Sequence, residues 1–110
     1  MIEVPGLRTE RGLNTREHWA ARASRVRNEK EAVAWVLAAK HKPALPCVVT
    51  LTRLAPSSGL DDDNLAGALK SVRDAVAAWL GVDDRDRATV RYQYEQQRAP
   101  WGVRIEWMAM

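Results

Sequence analysis

Gly59-Leu60-Asp61-Asp62-Asp63-Asn64-Leu65 opens a segment in which Leu65, Leu69, Val72, Val76 and Trp79 recur at helical spacing. Gly81 stands just past the last periodic residue, Leu80, and reads as the left-handed stop of that helix. A helix of about 16 residues is roughly 24 Å long. The second acidic cluster, Val82-Asp83-Asp84-Arg85-Asp86, therefore begins at the far end from the first. Whether the two clusters meet depends on a strand running back along the helix.

Working outward, Pro56-Ser57-Ser58-Gly59 is a turn that delivers the acidic motif from Cys47-Val48-Val49-Thr50-Leu51-Thr52-Arg53-Leu54, a β-branched run that reads as a strand. Cys47, Val49 and Leu51 share one face of it. After the helix, Thr89 to Gln96 alternates with Val90, Tyr92 and Tyr94 on one side. Ala99-Pro100-Trp101-Gly102 is a turn, and Val103, Ile105 and Trp107 alternate again, so a hairpin is expected to join these last two strands. Upstream, Met1 to Val4 is a short strand closed by Pro5-Gly6, and Leu7 to Asn14 is a loop. Thr15 is a good N-cap for a helix from Arg16 to about Lys40, interrupted at Asn28-Glu29-Lys30-Glu31. The order is β-α-β-α-β-β. It predicts an α/β (α+β) two-layer sandwich, a small mixed sheet of about four strands with two helices on one face. Trp19, Trp35, Trp79 and Trp107 are expected in the core. Trp101 either stacks on an unpaired base or packs back on the fold.

The three carboxylates admit two readings. Aspartate is a favoured N-cap and acids complement the positive end of a helix, which accounts for one or two of Asp61, Asp62 and Asp63. Adjacent carboxylates also repel, and a hard cation such as Mg²⁺, which takes oxygen ligands and often few from protein, relieves that repulsion. The first helix carries Arg16, Arg22, Arg25, Arg27 and Lys30 on one side, continued by Lys40-His41-Lys42. Such a stripe is either a solvated face or a surface that holds phosphates by counterion release. His18, beside Trp19, reads as a packing or phosphate-contacting residue. No nucleophile elbow, P-loop or dinucleotide fingerprint is present, so no nucleotide cofactor is expected.

One hundred and ten residues suit a single domain spanning 1–110, with 46% hydrophobic and 28% charged residues, as in globular chains. The net charge of +3 favours an anionic partner. A lone cysteine, Cys47, excludes an internal disulfide and a cysteine-rich zinc site. No apolar run is long enough for a membrane span and no signal-peptide pattern opens the chain, so a cytoplasmic protein is expected.

Asp61-x-Asp63-Asn64-Leu65, a helix with Lys70 and Asp74, and Leu80-Gly81-Val82-Asp83-Asp84 together resemble the RusA family of Holliday junction resolvases. Asn14-x-Arg16-x-His18-Trp19-x-x-Arg22 looks like its phage and prophage branch. The resemblance covers roughly residues 1 to 107, and its specific part is the acidic core. It implies a Mg²⁺-dependent homodimer that resolves four-way DNA junctions by paired nicks, in DNA recombination and repair. Carried over residue by residue, Asp61 and Asp63 match two metal-binding aspartates and Asp84 the third, with Asp83 as the alternative. The family lysine stands four residues after the second aspartate, where this chain has Gly67; Lys70 stands seven after it. On one uninterrupted helix Asp63, Gly67 and Lys70 share a face, because seven residues turn about 700°. Lys70 is thus the expected catalytic cation, and Arg16, His18, Arg22, Arg25 and Lys30 the expected DNA contacts.

Overall fold

A computed structural model describes residues 1–9, 19–83 and 85–110. Seven elements follow in order: β1 (Ile2–Pro5), α1 (Trp19–Leu37), β2 (Cys47–Ala55), α2 (Asp62–Ala68), α3 (Lys70–Leu80), β3 (Val90–Arg98) and β4 (Gly102–Ala109). The strands form one mixed sheet in the order β1-β4-β2-β3. β2 pairs parallel with β3 and antiparallel with β4, and β4 pairs antiparallel with β1. The α+β sandwich expected from the sequence is the fold observed.

Its inner face is built by side-chain alternation. Ile2, Ile105, Leu51 and Tyr94 form one cross-strand row, and Trp107, Val49 and Tyr92 the next. Val33 and Leu37 of α1, Leu65 of α2, Leu69 between the helices, and Val72, Val76 and Leu80 of α3 close over these rows. Trp79 and Trp107 meet at 5.4 Å between ring centroids, tilted by 52°.

Four expectations are corrected. The last two strands make no hairpin: β2 lies between β3 and β4, so the Ala99–Trp101 connection crosses the end of β2, where the Ala99 N–H donates to the Ala55 carbonyl at 3.0 Å. Turn chemistry fixes that the chain reverses, not which strand it returns beside. The helix after the acidic motif is two helices, divided at Leu69 with φ −98° and ψ 5°. α1 runs unbroken from Trp19 to Leu37, without the interruption expected at Asn28–Glu31.

Finally, Trp19 and Trp35 are not core: they are 76% and 84% exposed. Trp35 lies about 200° around α1 from the buried Val33, on the opposite face. Trp19 lies on an overhang. α1 is about 28 Å long and packs chiefly on α3, which is about 16 Å long, so residues Trp19 to Ser24 run past their support.

Gly81 adopts φ +72° and ends α3 as the sequence predicts. Gly102 is needed for a different reason: a Cβ there would stand 2.9 Å from the Val4 carbonyl oxygen. Gly102→Ala is therefore expected to push β1 from β4 and destabilise the chain by about 1–3 kcal/mol, measured by chemical denaturation. A null result would mean that β1 yields without cost.

Burial pushes the Cys47 thiol up from its ordinary value of 9.0. The folded chain then resists ionisation while the unfolded chain does not. Stability is unaffected below the unfolded value and falls as pH rises through it. At neutral pH Cys47 should alkylate only through opened states of the chain, and therefore slowly; rapid labelling of the native chain would contradict its burial.

Candidate functional site

The parallel β2–β3 pair decides where the acids lie. α2 starts beyond the C-terminal end of β2, and the chain must return to the N-terminal end of β3, which pairs Val90 with Cys47. The side chain of Gln96, near the C-terminal end of β3, clamps the entrance to α2. Its Oε1 accepts from the Leu60 N–H at 2.9 Å, and its Nε2 donates to the Leu60 carbonyl at 2.7 Å. Asp61 follows as N-cap, its Oδ1 accepting from the Asn64 N–H at 2.9 Å. Asp62 and Asp63 occupy the first turn of α2, exposed and with no side-chain hydrogen bond or ion pair among the described residues. Capping thus accounts for one oxygen of Asp61 and for neither neighbour.

At the other end of β3 the Asp83 carboxylate holds Arg85, with Oδ2 at 3.1 Å from Nη2 and Oδ1 accepting from the Arg85 N–H at 2.9 Å. Asp86 accepts from the Thr89 hydroxyl at 2.9 Å. Gln96 and Val90 are six residue steps apart on one strand, about 20 Å. Within a single chain Asp83 therefore does not join Asp61 and Asp63. No group of three His, Cys, Asp or Glu among the described residues stands ready to hold a metal ion. Asp84, matched to the third metal ligand, lies outside the described residues, as do Arg16 and His18.

Lys70 is placed differently from expectation. It begins α3, after the break at Leu69, so its angular relation to Asp63 on a continuous helix no longer applies. Its Nζ reaches forward to Asp74 Oδ2 at 3.1 Å, an oxygen that Lys30 also approaches at 3.7 Å. Beside this pair Glu29, 3% exposed, accepts from Arg25 at 2.9 Å and from the Ser71 hydroxyl. Of the basic residues expected on DNA, Arg25 and Lys30 are thus engaged in the α1–α3 contact. Arg22 is exposed on the overhang beside Trp19, Ala23, Val26 and Arg27.

Two residues of the acidic end escaped the sequence reading. Arg53 sits on the core face of β2, 3% exposed; its Nε donates to the Thr9 carbonyl at 2.8 Å, and its guanidinium lies 5.4 Å from the Trp101 ring. Arg8 covers the same ring at 5.7 Å, so Trp101 is a cation platform within the fold. Gln96 continues the Val90, Tyr92, Tyr94 alternation with a polar side chain. That break in the pattern was the available signal.

No protein family, curated protein or solved structure matches the chain.

Gln96→Ala should loosen the Leu60–Asp61 entrance and cost about 1 kcal/mol, seen as a lower Tm and faster amide exchange at Leu60. Gly59→Ala, whose new Cβ would stand 2.9 Å from Gln96 Oε1, displaces the same side chain. The two effects should overlap in the double variant, and strict additivity would contradict the shared clamp. Glu29→Ala should cost about 2 kcal/mol or more by leaving Arg25 and Ser71 without their buried acceptor, while Lys70→Ala should cost under about 1 kcal/mol. Equal losses in thermal denaturation would contradict this ranking.

Proposed function

We propose that this chain is a Mg²⁺-dependent endodeoxyribonuclease of the RusA kind, nicking four-way DNA junctions as a two-fold symmetric dimer. The supporting observation is the surplus of charge at the start of α2: three adjacent carboxylates, of which the fold uses one oxygen. Hard carboxylate oxygens suit Mg²⁺, which needs only one or two of them beside water and phosphate. Asp61, Asp63 and Asp84 would hold it. Bound there, Mg²⁺ would lower the pKa of a water and neutralise charge on the scissile phosphate. The chain itself supplies the placement: Gln96 fixes Leu60, Leu60 fixes Asp61, and the first turn of α2 presents Asp63. A second copy would bring a second acidic end to the one that a single chain keeps about 20 Å distant, and a two-fold dimer matches the approximate symmetry of a junction.

A second reading is a non-catalytic DNA-binding module. It is favoured by the overhanging basic start of α1. Asp63→Asn separates the two. It should abolish junction cleavage, leave junction affinity near that of the parent or tighten it, and remove the rise in Tm that millimolar Mg²⁺ gives the parent. A variant that cuts at the parent rate would remove Asp63 from the chemistry. A parent that binds junctions and never cuts them would establish the second reading.

The overhang gives a further expectation. Neutralising Arg22 should lower the salt slope of log K for duplex DNA by about 0.9, whereas Arg25→Ala should lower Tm by breaking its pair with Glu29. An unchanged slope for Arg22→Ala would make that face solvated surface.

A further inference from the structure

A cavity of about 390 Å³ opens between α2, α3 and β3, lined by Ala66, Arg73, Arg87, Arg91, Tyr92 and Tyr94. We propose that it seats a backbone phosphate of the bound DNA strand, beside the acidic motif. Three arginines, Arg73, Arg87 and Arg91, line the cavity. Arg73 Nη1 donates to the Tyr94 hydroxyl at 2.9 Å, which fixes the plane of that fork. Arg87 and Arg91 are exposed at the rim, and their side chains make no hydrogen bond or ion pair among the described residues. Planar forks with parallel N–H donors match the oxygens of a phosphate. Tyr92 and Tyr94, half-buried against the core, add ring surface on which an unpaired base can stack.

The position of the cavity links it to the proposed chemistry. Asp62 and Asp63 precede Ala66 by four and three residues within α2, so they stand one helical turn from the cavity wall, about 5–6 Å between Cβ atoms. A strand whose phosphate rests on Arg73, Arg87 and Arg91 would bring a neighbouring phosphodiester toward Asp63. The arginines would thereby hold the strand by its backbone, whereas Lys70 is held by Asp74. This inference rests on the nucleic-acid reading above and is independent of catalysis.

The test is a titration of the ¹⁵N-labelled full chain without metal, first with inorganic phosphate and then with a thymidine tetranucleotide. Both should move the amide signals of Arg73, Arg91 and Tyr92, the oligonucleotide at roughly tenfold lower concentration or less. The Arg87→Ala/Arg91→Ala variant, at unchanged Tm, should bind the oligonucleotide at least about tenfold more weakly. Its salt slope should fall by about 1.4, two contacts at about 0.7 each for a single strand. Should that variant not fold, Arg91→Gln alone should show half the change in slope. Signals that stay still with both ligands, or a variant that binds like the parent, would overturn the proposal. Tighter binding of free phosphate than of the oligonucleotide would overturn the assignment to a DNA backbone. Binding here without junction cleavage counts against the nuclease alone. Cleavage by an arginine variant with an unchanged slope counts against the cavity alone.

Discussion

The parallel pairing of β2 with β3 constrains everything else in this molecule. Two adjacent parallel strands require the chain to travel the length of the sheet between them, and α2 and α3 are that journey. The acidic motif lies where the journey starts and the second acidic cluster where it ends. Insertion of β4 on the other edge of β2 completes the central strand's hydrogen bonding, and the connection into it crosses the end of β2. The separation of the two acidic ends is thus a consequence of topology and not of any local preference.

The same topology explains why the inner face of the sheet changes character along its length. In the middle rows Ile, Leu, Val and Tyr meet the helices. At the end beside α2 the row becomes Val4, Val103, Arg53 and Gln96, and the last two turn their polar atoms to backbone groups of the incoming loops. Arg53 is buried and its polar atoms must be paired, which anchors Thr9; Gln96 is exposed, and its amide holds the Leu60 backbone from the surface. The acidic end is therefore anchored by side chains that contribute little to apolar burial.

This division sets what was legible in the sequence. Alternation in Cys47–Leu51 and Val90–Tyr94, and the helical spacing of Leu65, Leu69, Val72 and Val76, report burial directly, and both layers followed from them. Strand order did not follow, because the turn at Ala99–Trp101 has the same composition whether the chain returns beside β3 or passes over β2. The overhang of α1 was hidden for a related reason: Trp19 and Ala23 keep the apolar period, and only the shorter length of α3 leaves them uncovered. At the site, the cap at Asp61 and the surplus of Asp62 and Asp63 could be read from residue type. The clamp by Gln96 and the Arg73–Tyr94 contact join residues 36 and 21 positions apart, and only the fold brings them together.

The proposed role of the surplus carboxylates is phosphodiester chemistry on branched DNA. Its most direct test is incubation of the parent chain with a synthetic four-way junction and with a linear duplex of the same arm sequence, with and without millimolar Mg²⁺. Symmetric paired nicks in the junction, dependent on Mg²⁺ and absent from the linear duplex, are the predicted result. An intact junction in the presence of Mg²⁺, under conditions where the chain is shown to bind it, would contradict the claim.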